Sequence, residues 1–327
     1  MRPLSYVRAD DVGAAVSLVT TDPASAFLAG GTTEIDLVRL GIEQPELLVD
    51  INALPLADVE APDDGSLRIG ALARMNDVAR TAAVAERFPA ISQALLLGAS
   101  EQLRNMASIG GNLRQRVRCG YFRDGISPCN KREPGSGCSA LDGLNRGHAI
   151  LGTSEHCIAT HPSDLAVALV AFDAVVLTIT HSRPRELPIE ELFPLPGDTP
   201  HVEHPLAPGE LIAGVVVPPL DFARGSLYLK VRDRQSYEFA LVSVAAALDV
   251  RDGAIAQARL ALGGVGTAPW RARRAEEQLV GAPPTAEAFA GAAAAELADA
   301  QVREHNAFKA PLAERAVVRA LTMAAGG

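Results

Sequence analysis

The segment SAFLAGGTTEIDLVRLG, Ser25 to Gly41, decides how the chain is read. A short apolar run ends in two glycines and a helical pattern starts at once. Thr33 and Asp36 stand at a capping-box-like spacing, and Gly41 is the stop. Glycines at a strand end let the backbone come close to a ligand. The free N–H groups of a starting helix then face an anion, which suits a phosphate or pyrophosphate. The same residues also serve a plain tight turn, and the pattern is neither GxGxxG nor a P-loop. Both readings stand at this point.

Working outward, LSYVRA and ELLVDIN are strand candidates, and Asp10–Asp11 can cap a helix through GAAVSLVTTD. Residues 1–55 therefore predict a small parallel βαβαβ unit. In residues 56–219, LRIGALA is a strand, and an Ala-rich helical region runs from Met75 to about Ala99, broken at Pro89. Residues 100–160 are rich in Gly, Asn, Arg, Pro and Ser and read as a loop with a function. A helix through SDLAVALVAFDA and strands at AVVLTIT, RELPIEELF and ELIAGVVVP complete this part. A boundary near Pro218–Arg224 opens a third part, 220–327. It has a strand at SLYLKVRDR, a hairpin around RDG and a helical Ala/Glu/Arg-rich tail.

Composition bounds the function. The chain has 327 residues, 48% apolar, with net charge −9 and no basic stripe, so nucleic acid is not an expected partner. No signal-peptide h-region is readable, and no run of about 18 apolar residues predicts a membrane span. By its own sequence the chain is expected in the cytoplasm, where thiols stay free or bind metal.

Two further segments carry chemistry. RNMASIGGNL pairs glycines again, with Ser108, Gly110, Gly111 and Asn112 in reach of one another. It is either an ordinary turn or the second half of a site for a ligand with two phosphates. All four cysteines, Cys119, Cys129, Cys138 and Cys157, fall within 39 residues at C-x9-C-x8-C-x18-C, inside a Cys-rich loop spanning 115–160. No CxxC occurs, and the spacing leaves zinc, an iron–sulfur cluster and free thiols open. Arg118, Arg123, Lys131 and Arg132 nearby either offset thiolate charge or are solvated loop cations.

AGGTTEIDLVRLG, SIGGN, HPSDLAVALVAFDA, YLKVRDRQSYEFALVSVAAAL and LALGGVGTAPWRA follow in this order. Together they resemble the FAD-binding medium subunit of molybdenum hydroxylases, the xanthine dehydrogenase/carbon monoxide dehydrogenase flavoprotein family. The resemblance implies an α+β chain: a two-subdomain FAD-binding fold of the PCMH/vanillyl-alcohol-oxidase type, then a C-terminal α+β domain with a small antiparallel sheet and helices. It implies FAD contacts at Leu28, Ala29, Gly30, Gly31, Thr32, Thr33, Glu34 and Ile35, and at Ser108, Gly110, Gly111 and Asn112. Asp164, Lys230 and Ile212 match further flavin positions. Asp164 is also a possible helix cap and Lys230 a possible solvated edge lysine.

The cysteine segment resembles the branch of bacterial molybdenum-dependent aldehyde oxidoreductases whose flavin subunit binds an extra [4Fe–4S] cluster. That implies Cys119, Cys129, Cys138 and Cys157 as its ligands. It also implies two partners: a large subunit with the molybdenum cofactor and a small subunit with [2Fe–2S] clusters. Aldehyde would be oxidised to carboxylic acid on the large subunit and electrons passed to FAD here, with no catalytic side chain from this chain. The competing expectations are a xanthine or other N-heterocycle dehydrogenase subunit, a non-catalytic nucleotide-binding protein with structural zinc, and a free-standing flavin oxidase. A signal-bearing partner would carry the folded chain to the periplasm.

Overall fold

A computed structural model describes residues 3–181 and 183–326. The first part is β1 (Ser5–Arg8), α1 (Val12–Thr21), β2 (Ser25–Leu28), α2 (Glu34–Leu40) and β3 (Leu47–Asp50). β3 lies between β1 and β2 and pairs parallel with both, as the alternating pattern predicts. The Asp11 carboxylate caps α1 by accepting the Ala14 N–H at 2.7 Å. Gly41 ends α2 in a left-handed conformation, φ 75°. The capping-box expectation fails at Thr33, whose backbone is already helical and whose side chain makes no cap bond.

The middle part runs β4 (Val59–Glu60), β5 (Leu67–Gly70), α3 (Met75–Arg80), α4 (Ala82–Arg87), α5 (Pro89–Leu97), α6 (Glu101–Met106), α7 (Ile109–Leu113), α8 (Gly120–Arg123), α9 (Asp164–Ala171), β6 (Val175–Ile179), β7 (Pro184–Pro188) and β8 (Leu211–Val217). The strands form an antiparallel sheet in the order β4-β5-β8-β6-β7. Pro89 opens α5 at its first position, where the missing N–H costs nothing. A second break, at extended Thr81, separates α3 from α4 and was not predicted. α6, α7 and α8 occupy part of the segment read as loop. Each has only four to six residues, too few to display a helical period.

The last part contains β9 (Leu227–Val231), β10 (Val242–Arg251), β11 (Ala254–Gly263), β12 (Trp270–Arg271), α10 (Arg273–Leu279), α11 (Ala286–Leu297) and α12 (Lys309–Ala325). Its antiparallel sheet has the order β12-β11-β10-β9. The predicted hairpin turns at Asp252 and Gly253, both with positive φ. Among the described residues no helix is long and apolar enough to cross a membrane.

The cores show how these parts meet. Leu211 and Ile212 are neighbours on β8 and face opposite ways. Leu211 packs with Ala15 and Val49 of the parallel unit, and Ile212 with Ile69, Ile109 and Leu165 of the middle core. A separate apolar cluster joins Leu37 of α2 to Val117, Phe122, Cys129, Cys157 and Ala159. The cysteine segment is thus packed against the first subdomain.

Lys309 fastens the same segment to the last part. Its side chain is fully buried, and Nζ donates to Gly147 O at 3.1 Å and Gly264 O at 2.7 Å. Burial, and next the Arg146 charge, lower its pKa to about 7. A neutral amine has two N–H donors for these two carbonyls. The unfolded chain keeps the proton up to about pH 10.4, so folding releases a proton above about pH 7. Stability from this residue therefore rises with pH across that window. Chemical denaturation of wild type and Lys309→Met should show the wild type gaining roughly 2 kcal/mol relative to the variant from about pH 8 to about pH 10. Parallel stability–pH curves would refute this.

Candidate functional site

The first glycine turn follows β2. Gly31 has φ +70°, and a Cβ there would stand 3.1 Å from Ile35 Cγ1 and 3.5 Å from Leu28 Cδ1, so these two side chains form the floor. Gly30 matters more: a Cβ on it would lie 2.0 Å from Met106 O. The turn is pressed against the end of α6, and only glycine permits that approach. Asn52 donates to Ala29 O at 2.9 Å, while Arg74 reaches Met106 O at 2.6 Å and Asn52 Oδ1 at 2.8 Å. Among the described residues nothing accepts the backbone N–H groups of Gly30, Gly31, Thr32 or Thr33. Half-buried and unpaired, these donors are available to an anion. Glu34, at the same end of α2, has its pKa raised to about 7 by burial and then by Glu43, against the opposing pull of Arg114 and Arg116.

The second glycine segment is used differently. Ser108 caps α7, its hydroxyl accepting the Gly111 N–H at 3.2 Å. Ile109 N and Gly110 N donate to Ala73 O and Ala71 O at 3.0 and 2.8 Å. The N–H groups expected to face a phosphate are thus engaged within the fold. What the segment presents is Asn112, whose Oδ1 accepts from Ser163 Oγ at 2.5 Å.

Ser163 is the cap of α9, so Asp164 is not the N-cap but the first helical residue. Its carboxylate is buried between Lys230 Nζ, 2.7 Å from Oδ2, and Tyr228 Oη, 2.7 Å from Oδ1. The Lys230 side chain is 1% exposed and also donates to Leu97 O at 3.1 Å, so it is not a solvated edge lysine. Burial, then the Asp164 charge, push the Tyr228 phenol well above its ordinary pKa and keep it a neutral donor. Asp164 and Lys230 therefore form one unit. Ile212 is 5% exposed within the middle core, beside Ala213, whose carbonyl accepts from Ala71 N at 2.9 Å. Sequence reasoning missed Asn52, Arg74 and Tyr228. Only Tyr228 left a signal, since it lies two residues before Lys230 and so on the same face of β9.

The four cysteines line one small pocket together with Tyr121, Phe122, Asn130, Lys131, His156 and Ala159. None is in a disulfide. Cys129 and Cys138 face each other across an antiparallel bridge, and Ser154 bridges to Cys157. Burial raises the Cys119 pKa to about 11 against the pull of the Phe122 and Tyr121 N–H groups. Ala159 N donates to Cys157 Sγ at 3.4 Å, and His148 Nε2 stands 3.2 Å from Cys119 Sγ. Among the described residues no three His, Cys, Asp or Glu side chains are placed to hold one metal ion. The thiols surround a space instead of meeting at a point.

Comparisons with known proteins show the family. Residues 2–220 match the family described as the FAD binding domain in molybdopterin dehydrogenase, and residues 227–324 match the CO dehydrogenase flavoprotein C-terminal domain. The chain is 46% identical to the aldehyde oxidoreductase FAD-binding subunit PaoB of Escherichia coli, over 99% of both chains. It is 26% identical to the glyceraldehyde dehydrogenase medium chain of Sulfolobus acidocaldarius, over 85% of this chain and 81% of that one. A chain of the carbon monoxide dehydrogenase of Hydrogenophaga pseudoflava superposes with TM-score 0.76 at 24% identity, covering 99% of this chain and 98% of that one, which speaks for the fold alone. The glycine turn with its open N–H groups is thus part of a flavin-binding fold, and the chain belongs to the FAD-binding medium subunits of the molybdenum hydroxylases.

Proposed function

We propose that this chain is the FAD-carrying electron-transfer subunit of a heteromeric molybdenum-dependent aldehyde oxidoreductase, and that its four cysteines hold a [4Fe–4S] cluster. The reading is carried by one observation: the open glycine turn leads straight into α2, and α2 packs through Leu37 against the segment that carries all four cysteines. End-to-end identity of 46% to an aldehyde oxidoreductase FAD-binding subunit supplies the substrate class. The partners in this reading are a large subunit with the molybdenum cofactor and a small [2Fe–2S] subunit.

Bound FAD supplies the exchange of electrons between the partner's clusters and an external acceptor. The chain's own residues bind and orient. The N–H groups of Gly30 to Thr33 take the pyrophosphate, above the floor made by Leu28 and Ile35. Ser108, Gly110, Gly111 and Asn112 shape the opposite wall and hold Ser163 in register. The Asp164–Lys230 pair, locked by Tyr228, would stand behind the flavin as a fixed dipole whose charges neutralise each other, with Ile212 in the apolar wall.

At the cavity, the fit rests on the donor set. Four cysteines line one pocket, the Tyr121, Phe122 and Ala159 N–H groups point at sulfur, and Lys131 opposes the charge on Cys157. Such N–H···S contacts are what a cluster needs to balance its negative charge. Thiols spread around a cavity suit the corners of a cluster better than the tight tetrahedron of zinc.

Purified full-length chain should release one FAD on denaturation and contain iron and sulfide, with flavin bands over a broad cluster absorption. A colourless, zinc-loaded chain would sink both halves of the reading. Iron analysis of Cys129→Ser separates them: the variant is expected to lose its iron while still taking up FAD at saturating concentration. Unchanged iron would remove Cys129 from the ligand set.

A further inference from the structure

Helix α2 touches both sites at once. Its first residue, Glu34, follows the open turn directly, and the Ile35 N–H closes back on Gly31 O at 3.1 Å, so turn and helix move together. On the other side, Leu37 is 1% exposed and shares one apolar cluster with Cys129, Cys157, Val117, Phe122 and Ala159. One oxygen of Asp36 takes Arg118 at 3.4 Å and also bonds Arg123, and these two arginines flank Cys119. Past the end of the helix, Glu43 pairs with Arg116, Arg116 pairs with Glu203, and Glu203 takes Lys131 at 3.1 Å. Lys131 lines the cysteine cavity.

These contacts fix α2 in two respects. Leu37 sets its distance from the cysteine wall, because a packed apolar contact tolerates little displacement. The two arginines on Asp36 set its rotation. A seven-residue helix held this way cannot shift at one end without moving the other. Cys119, which lines the cavity, stands between Arg118 and Arg123, so a ligand held at its sulfur bears directly on the two arginines that grip Asp36.

We infer that α2 is the link through which the occupant of the cysteine cavity sets the affinity of the glycine turn for FAD, with Asp36 as the positioning residue. The inference rests on the proposed assignment of FAD to the turn and of a cluster to the cavity. Filling the cavity holds residues 117–123 in place, they hold Asp36 and Leu37, and α2 then aims the N–H groups of residues 30–33. Coupling of this kind is reciprocal: FAD must secure the cavity's occupant by the same factor.

The test is a fluorescence titration of FAD into flavin-stripped full chain, with the cavity loaded or emptied by ferricyanide and a chelator. Emptying should weaken FAD about tenfold, within the usual span for coupled sites. Saturating FAD should stabilise iron against the chelator by a matching factor. In Asp36→Asn the loaded chain should already bind FAD weakly, and emptying should add little. Arg123→Gln is expected to behave alike, and serves if Asp36→Asn does not fold. Equal FAD affinity for loaded and emptied wild type overturns the inference without any variant, and so does full coupling in Asp36→Asn. A wild-type chain without iron sinks the cluster assignment and this inference together; a loaded chain whose FAD affinity ignores the cavity sinks only the latter.

Discussion

The approach of Gly30 to the Met106 carbonyl sets the geometry of everything around the first glycine turn. A side chain there would need space that backbone already occupies, at 2.0 Å. This close approach brings the parallel unit against the end of α6 where the open N–H groups lie. The same junction is tied by Arg74, which reaches across to both Met106 O and Asn52. β8 closes it from below, with Leu211 in one core and Ile212 in the other. A ligand at this junction therefore meets donors whose placement is fixed by backbone contact and not by flexible side chains, which lowers the ordering cost of binding.

Much of this was legible in the sequence because it rests on local rules. The βαβαβ start, the hairpin at Asp252–Gly253 and the stop at Gly41 each need particular residues at particular places, and those residues are visible. The capping box at Thr33 was legible but false, since spacing alone does not say whether the side chain turns inward. The helices between Glu101 and Arg123 were missed because short helices carry no period. The site divided along the same line. Gly30 and Gly31 announced a turn, but that Gly110 and Gly111 spend their N–H groups internally depends on Ala71 and Ser108, and for Gly110 on a residue far away in sequence. Lys230 and Asp164 were each picked out by resemblance. Their direct bond across 66 positions could not be read from either segment.

Charge is arranged at both sites by one logic. An isolated ion is costly to bury, and a pair costs far less when its remaining hydrogen bonds are met. Asp164 is matched by Lys230 and by the Tyr228 hydroxyl, so no lone charge needs a cofactor to compensate it. Around the cysteines, Arg118 and Arg123 meet Asp36, and Lys131 meets Glu203. None of these cations is a freely solvated loop charge. Arg132 works through the backbone: its Nη1 takes Tyr121 O and Phe122 O at 2.9 and 2.7 Å. The Tyr121 carbonyl belongs to the same peptide unit as the Phe122 N–H, which points at Cys119 Sγ. A cation on that carbonyl polarises the peptide and strengthens its donation to sulfur. The buried and half-buried ions thus share partners of opposite sign, and oriented N–H dipoles stand beside them at the glycine turn and at the thiols alike. Fixed dipoles need no reorganisation when the charge on a neighbouring group changes, which is the property an electron-transfer subunit requires of its protein.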